Sequence, residues 1–472
     1  MTTTIKTLIK SPVSSVFRRA SIKRRSLLTG AFESNWLEIT NDVKSFGKIT
    51  NQIDSARRYK FTFGTAKLVM ENDDGKYNPH DDSASLWYGY LNQQRTLVKL
   101  DVGFIDATKN SNGMWIRSEY PSLLNAAWDS AVWDNDAALW DDEGANSTVF
   151  VGVVSGDIPL SDKNEVVLNV RPLTSIFQDF PARNLTGWTS TGRTASQYAT
   201  MLRDQTDGSG SFIFRPFFGD TTSNWDISTT VTNFTNLNTS TAEDIIDKTA
   251  WDVLEKLAEA ENFVPYVNRA GVFKFVSRSS VDTIPAYQFH GAGSFNTEYG
   301  HTIKTVANYG FKVSKYYSRV QIKWAPADTS TSYEVYESTL TVSASNNPWI
   351  LGAKTLAIEN FYIPSAAVAS SLASAIFADV SALKREIEFT TSLVPHLDLF
   401  DRFSIYYDPS SFLQANLWDQ NDWAADATTT ASDLIWDAVS GDAIALDGTE
   451  FKFLTFEIDL DNMQNKFIAR EV

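Results

Sequence analysis

The sequence of 472 residues contains no cysteine. Disulfide bonds, thiolate zinc sites and cysteine nucleophiles are therefore excluded together. No run approaches the ~20 apolar residues that cross a bilayer, and the first residues lack the ~7–15-residue apolar core of a secretory signal. We therefore expect no stable insertion into a membrane.

The motifs that usually carry catalysis are also missing. The sequence has no GxSxG elbow, no phosphate loop ending in Gly-Lys-Ser/Thr and no complete GxGxxG fingerprint. Histidine is scarce, and no two histidines stand four residues apart as a helical zinc pair requires: His80, His290, His301 and His396. We therefore expect no enzyme, no cofactor and no metal site.

Charge is unevenly distributed along the chain. The net charge is −16, yet the first 32 residues contain seven basic side chains and no acidic one. We expect residues 1–34 to form a basic arm that docks on an acidic neighbour. Its candidate contacts are Arg18, Arg19, Lys23, Arg24 and Arg25. The alternative is an organellar transit peptide, because such segments are also rich in Arg and Ser. The acidic remainder repels phosphates, which argues against DNA binding and suits a surface that DNA passes without adhering.

One pattern occurs twice. In each copy a strand-like run leads into a loop of Trp-Asp pairs and then into a second strand-like run. The first copy reads LVKLDVGFID, AAWDSAVWDNDAALWDDEGANS and TVFVGVVSGDIPL. The second reads DRFSIYYDP, NLWDQNDWAADATTTASDLIWDAVSGDAIALDG and TEFKFLTFEIDLD. Two similar β-modules in one chain indicate a protein whose oligomer contains twice as many similar modules as chains. They do not indicate an enzyme with one cleft.

The Trp-Asp loops cover about residues 125–148 and 409–449, and we expect them to extend both modules at the same edge. Their tryptophans are predicted to contact a neighbouring protein: Trp128, Trp133, Trp140, Trp418, Trp423 and Trp436. The alternative is a carbohydrate-binding or carbohydrate-degrading protein, in which Trp rings stack on sugars and Asp accepts hydroxyl hydrogen bonds. Glu457, Asp459 and Asp461 alternate, so we expect them to share one face of a strand, either as a solvated or lumen-facing acidic face or as a cation site.

Alternating patterns and 13% aromatic residues predict a β-rich, multidomain α+β chain. We expect two tube-like β-barrel modules flanking a mixed α/β middle region. The predicted boundaries are residues 1–34 for the arm, 35–175 and 310–472 for the modules, and 176–309 for the middle region. One helix is predicted to be capped by Thr241 and a second to span Pro364–Leu383, and a hairpin is predicted to turn at Asn268–Gly271.

Several segments together resemble the tail-tip or baseplate hub proteins of tailed bacteriophages. KLVMENDDGKYNPHDDSASLWYGY is similar to an early strand-and-loop element of that family, and STAEDIIDKTAWDVLEKLAEAENFVPYVNRAGVFKF to its helix and hairpin. YYSRVQIKW resembles the strand that follows, with Ser318 where the family usually has Asn. SLVPHLDLFDRFSIYYD resembles a later strand, with Phe400 in place of a small residue. The order of these segments carries the resemblance.

The resemblance implies a homotrimer in which each chain contributes two barrels to a pseudo-sixfold ring. Such a ring adapts the hexameric tail tube or distal-tail ring to a threefold tip and gates the channel for DNA and the tape-measure protein. Further implied partners are a central fibre or spike and receptor-binding proteins, while DNA passes without specific binding. The implied location is the tail tip of the virion, after synthesis in the host cytoplasm.

Overall fold

The computed structural model describes most of the chain in segments. These are residues 15–53, 61–62, 64–78, 83–91, 96–105, 107–109, 115–117, 146–155, 164–185, 187–188, 192–219, 222–234, 245, 247–278, 287–291, 302–324, 332–337, 354–407 and 446–472.

The strands of the N-terminal half are β1 (Ser15–Lys23), β2 (Arg25–Ser26), β3 (Leu37–Glu38), β4 (Val43–Ser45), β5 (Lys48–Ile53), β6 (Phe61–Thr62), β7 (Ala66–Glu71), β8 (Tyr90–Leu91), β9 (Leu97–Ile105), β10 (Ala107–Lys109), β11 (Trp115–Arg117), β12 (Asn146–Val154), β13 (Glu165–Pro172), β14 (Arg193–Thr194), β15 (Trp225–Ile227) and β16 (Asn233–Phe234). The later strands are β17 (Phe263–Val267), β18 (Phe273–Ser277), β19 (Tyr287–His290), β20 (Ile303–Phe311), β21 (Arg319–Trp324), β22 (Ser332–Glu337), β23 (Thr355–Glu359), β24 (Arg385–Ser392), β25 (Arg402–Tyr407), β26 (Leu446–Asp459) and β27 (Gln464–Glu471).

The α-helices are α1 (Ser175–Gln178), α2 (Ala195–Arg203), α3 (Arg215–Phe218), α4 (Ala250–Ala260) and α5 (Ala366–Val380), and short 3₁₀ helices cover Thr40–Asp42, Ala182–Asn184, Thr222–Asn224 and Val313–Lys315. Helix α5 confirms the helix predicted over Pro364–Leu383. Helix α4 begins at Ala250, where Thr249 and Asp252 form a capping box, so the predicted cap at Thr241 is not the cap of this helix. Residue Thr241 itself lies outside the described residues.

Two large sheets dominate the fold. The first has the strand order β3-β1-β9-β12-β13-β7-β4. The second follows the path β19-β25-β26-β27-β24-β20, and β5 joins it by pairing with β26. The β-rich α+β architecture with two barrel-like modules is therefore confirmed.

The two sheets repeat one topology. The strands β4, β7, β9, β12 and β13 follow one another in the first module as β20, β24, β25, β26 and β27 do in the second. Within the sheets these strands lie side by side in the orders β9-β12-β13-β7-β4 and β25-β26-β27-β24-β20. Counted along the chain, both orders are third, fourth, fifth, second and first, and every neighbouring pair is antiparallel. The duplication predicted from the Trp-Asp loops is therefore a property of the fold.

The last two strands of each module pair in the same register. Gly152 pairs with Pro172 as Phe451 pairs with Glu471, the same number of residues apart. In both modules the residue directly before the second strand is a non-glycine residue with positive φ, Asn164 at 55° and Met463 at 52°. Because that conformation is uncommon outside glycine, its occurrence at both positions supports the correspondence of β13 with β27.

Two β-bulges recur at corresponding positions in the two modules. The register of β4 slips between Val43 and Ser45, and that of β20 slips between Ile303 and Thr305. A second pair of bulges lies near the start of β12, between Thr148 and Phe150, and near the start of β26, where Gly448 is skipped. Since bulges interrupt pairing at defined positions, these matches give a residue-level correspondence between the modules.

The sheets cross the predicted domain boundaries. Strands β5 and β6 leave the first module to pair within the second sheet, and β19 and β20, which begin in the predicted middle region, also belong to that sheet. Residues 319–324 and 354–380 pack instead with α2 and α4 in the apolar core of the middle region. A separate apolar core unites both large sheets.

Candidate functional site

The tryptophans predicted to contact a partner lie outside the described residues. Their loops stand between β9 and β12 in the first module and between β25 and β26 in the second, which are corresponding connections. The bases of both loops therefore lie at the same end of each repeated sheet, next to the bulges of β12 and β26. The partner contact and the sugar-binding alternative both stay predictions.

Three of the basic residues predicted to form an arm, Arg18, Arg19 and Lys23, lie in β1 of the first sheet, and Arg25 lies in β2, which pairs with β8 in a separate two-stranded sheet. Strand β1 pairs with β9 along its whole length, from Ser15 opposite Ile105 to Lys23 opposite Leu97. Residues 15–26 are therefore structural, and the description of residues 1–34 as a separate arm is wrong for this part. The partner contact predicted for these side chains stays a prediction.

Acceptors inside the chain already engage most of these basic side chains. Arg18 donates to the carbonyl of Leu460 at 3.0 Å, and the guanidinium of Arg19 lies 3.0 Å from a carboxylate oxygen of Glu38. Arg24 binds Glu33 through two nitrogens and lies 3.9 Å above the ring of Tyr90. Arg25 donates to the carbonyl of Gly30 and sits near the rings of Phe32 and Phe217. These contacts explain how a basic strand can lie inside an acidic protein.

Asp461 joins the two modules. Its carboxylate lies in the turn between β26 and β27 and accepts hydrogen bonds from Ser45 Oγ at 2.6 Å, Phe46 N at 2.9 Å and Gly47 N at 3.1 Å. Arg18 adds an ion pair at 3.1 Å. Burial alone raises the pKa of Asp461, but these donors outweigh it and hold the pKa below its ordinary value.

The chain changes sheets at this joint. Gly47 has φ of +64°, and a Cβ there would lie 2.8 Å from the carbonyl oxygen of Lys67. Only glycine fits such a bend without displacing the backbone of β7. Past Gly47, β5 pairs with β26 from Lys48 opposite Asp459 to Gln52 opposite Thr455.

The acidic stripe predicted at the end of the chain is divided between two places. Glu457 and Asp459 do share one face of β26, and Lys48 bridges them at 3.2 Å and 3.1 Å. Asp461 lies beyond the strand in the turn, so the prediction of one face for all three is wrong. The ammonium group of Lys48 therefore lies beside both carboxylates, at the place where the sequence also allowed a cation site.

A second joint is formed by Arg269 at the tip of the β17–β18 hairpin. The predicted turn is confirmed: Gly271 has φ of +83° and its N–H donates to the carbonyl of Asn268. Arg269 donates to Ser147 Oγ, to the carbonyl of Thr148 at 3.1 Å and to the carbonyl of Pro395 at 2.8 Å. One side chain of the middle region thus ties the base of the first loop to the segment before β25.

Asp398 completes this joint. Its carboxylate accepts a hydrogen bond from the backbone N–H of Arg269 at 3.3 Å and lies 3.6 Å from its guanidinium. Burial raises the pKa of Asp398 despite the opposing charge of Arg269. Local sequence signals did not find Arg269 or Asp461 as joint residues, because their partners are 121 to 443 residues away.

The described part of the element that resembles the early family segment contains a turn held by side-chain hydrogen bonds. Asn72 accepts from Tyr77 N at 2.6 Å and donates to Asn78 at 3.0 Å, while the Tyr77 hydroxyl donates to Asp42 at 2.5 Å. Burial and the neighbouring Asp42 raise the pKa of Tyr77. These hydrogen bonds fix the shape of the turn.

Among the described residues, no three His, Asp or Glu side chains lie close enough together to hold a metal ion. His290 is buried and stacks on Tyr406 with ring centroids 4.6 Å apart. His80 and His301 lie outside the described residues. No helix within the described ranges is long and apolar enough to cross a membrane.

No family model matches the sequence. No curated protein matches it either. Solved structures do match, among them a tail protein from Neisseria meningitidis MC58, with 11% identity, a TM-score of 0.47 and 96% coverage of both chains. The 43 kDa tail protein of prophage MuSo2 from Shewanella oneidensis has 11% identity, a TM-score of 0.44 and coverage of 96% of this chain and 98% of that one. A prophage tail protein from Listeria monocytogenes EGD-e has 8% identity, a TM-score of 0.42 and coverage of 95% and 94%. At such identities and TM-scores, similarity alone does not define what this chain does.

Proposed function

We propose that this chain is a structural hub of a phage tail tip or baseplate and has no catalytic role. The observation that supports the proposal most directly is the internal duplication, in which five strands repeat in the same order, direction and register. Such a duplication places two quasi-equivalent modules in every chain.

A trimer of this chain would present six modules. Three chains around a threefold axis give a threefold object at the level of the chain and an approximately sixfold one at the level of the sheets. That combination can join a hexameric tail tube or distal-tail ring to a threefold tip.

The remaining parts of the proposal follow from position and charge. The six sheets would surround a channel for DNA and the tape-measure protein and gate it. The net charge of −16 suits passage of DNA without specific binding. The middle region would carry a central fibre, spike or receptor-binding proteins. The protein would be made in the host cytoplasm and reside at the tail tip of the virion.

The test is the solution mass of the purified chain by light scattering, alone and mixed with tail-tube or distal-ring protein. We expect three times the chain mass of 52.7 kDa, either in isolation or once the ring protein is added. A chain that stays monomeric under both conditions contradicts the proposal, because the sixfold argument needs three copies.

A further inference from the structure

We propose that a cleft beside the core of the middle region binds a lysine or arginine side chain of a partner protein. The inference rests on the proposed function, because it names the chemistry by which the middle region would hold a fibre, spike or receptor-binding protein. The cleft opens to solvent and has a volume of about 370 Å³. It is lined by the segment before β16, the junction of α4 with β17 and the first turns of α5, which are residues 229–232, 260–263, 367–368 and 371–372.

Glu261 is the only charged side chain among the residues that line the cleft. Its carboxylate accepts hydrogen bonds from Thr232 N at 2.7 Å and from Val231 N at 3.4 Å. Within the described part of the chain, no lysine or arginine forms an ion pair with it. Burial raises the pKa of Glu261, because the hydrogen-bond donors do not make up for the water that the carboxylate loses. The cleft therefore contains a negative charge that its own residues do not neutralise.

The position of Glu261 at the end of a helix adds to this negative field. Glu261 is the C-cap residue of α4. The carboxyl-terminal end of a helix carries about −0.5 elementary charge, which disfavours a carboxylate and favours a cation. The first turn of α5 also borders the cleft and offsets part of the field, although Ser365 Oγ already accepts a hydrogen bond from Val368 N there. A cation in the cleft would neutralise Glu261 and interact favourably with the end of α4.

The rim of the cleft is held in a fixed shape. Thr230 exchanges two hydrogen bonds with Ser196 of α2, from Ser196 N to Thr230 Oγ1 at 2.9 Å and from Thr230 N to Ser196 Oγ at 3.1 Å. On the other side of Val231, the N–H of Thr232 is bound by Glu261. Val231 therefore stays exposed although both of its neighbours are anchored. A site of fixed shape loses little conformational entropy when it binds a partner.

Apolar side chains accompany the carboxylate and favour a basic side chain over a small cation. Val231 is 86% exposed at the rim, Val368 is partly buried and Leu372 is buried. A metal ion or a free ammonium ion would neutralise Glu261 and leave the apolar side chains uncovered. Lysine and arginine side chains carry their charge on an apolar stem, which can pack on such residues while the charged group reaches the carboxylate. The combination of one uncompensated charge with an apolar wall therefore fits a basic side chain of a protein.

The experiment compares the binding of two capped dipeptides to the full-length chain by ligand-observed NMR. The probes are acetyl-leucyl-lysine amide and acetyl-leucyl-norleucine amide, which differ only in the ammonium group. We expect the lysine probe to bind about fivefold more tightly. Glu261→Gln keeps an oxygen acceptor for Thr232 N and loses the charge, so it should abolish this preference. The matched control is Glu71→Gln, which changes an exposed glutamate in β7 and should leave the preference as in wild type.

The outcomes separate this inference from the proposed function. A wild type that binds both probes equally, or a Glu261→Gln variant that keeps the preference, overturns the inference. A chain that prefers the lysine probe but never forms trimers contradicts only the proposed function. If Glu261→Gln loses the circular dichroism spectrum of the wild type, hydrogen exchange of residues 229–232 in wild type decides. Exchange that slows with the lysine probe alone supports the inference, and exchange that is the same with both probes overturns it.

Discussion

Replacing Asp461 with alanine should weaken the joint between the modules. The change removes the acceptor for Phe46 N and Gly47 N and the ion pair to Arg18. Hydrogen bonds to a charged group contribute about 1.5–3 kcal/mol each, but the side chain of Asp461 is 36% exposed and water can replace part of them. We therefore expect the free energy of unfolding to fall by about 2 kcal/mol.

Urea unfolding monitored by tryptophan fluorescence measures this change, with Asp73→Ala as the matched control. Asp73 is an exposed aspartate in a turn, so its replacement should shift the free energy by less than about 0.5 kcal/mol. Asp461→Asn keeps one oxygen acceptor and loses the charge. Its free energy of unfolding should therefore lie between those of the wild type and the alanine variant.

The contribution of Asp461 to the free energy of unfolding depends on pH with a defined sign. Because the pKa of Asp461 is lowered in the folded protein, its stabilisation is fully present above its ordinary pKa of ~3.9 and is lost as the pH falls through the folded pKa. The difference between wild type and Asp461→Ala should stay constant between about pH 5 and 8 and shrink below about pH 4. An alanine variant as stable as the control, or a difference that grows in acid, would refute the reasoning.

Arg269→Ala should lower the free energy of unfolding by about 2–3 kcal/mol. Arg269→Lys should recover less than half of that loss, because an ammonium group cannot reach all the acceptors that the guanidinium contacts. A lysine variant as stable as the wild type in urea unfolding would contradict this prediction. Thr249→Ala should cost about 1 kcal/mol through loss of the α4 cap, and Thr249→Ser should stay near wild type in the same assay. Equal losses in both Thr249 variants would show that the cap is not the cause.

Local patterns predicted the elements that depend on nearby residues. Helix α5 and the turn at Asn268–Gly271 are found where spacing and glycine placed them, because caps and turns are decided within a few residues. The Trp-Asp repeat also marked the corresponding connection in both modules. A duplicated topology leaves a trace in the sequence where the same connection is lengthened twice.

The placement of β1 and β5 could not be predicted in this way. The basic side chains of Arg18 and Arg19 led to the prediction of a solvated arm, but their acceptors, Asp461 and Glu38, come from other parts of the chain. The partner of β5 is β26, about 400 residues later. Periodicity specifies which face of a strand is buried and carries no information about which distant strand pairs with it.

The pairing of β5 with β26 of the other module determines the order in which the two modules can fold and join. Residues 48–52 emerge early from the ribosome, yet their pairing partners in β26, residues 455–459, are synthesised more than 400 positions afterwards. Contacts this distant in sequence form slowly, since the intervening loop must be closed first. The first sheet can assemble during translation, whereas the modules can lock together only when the chain is nearly finished.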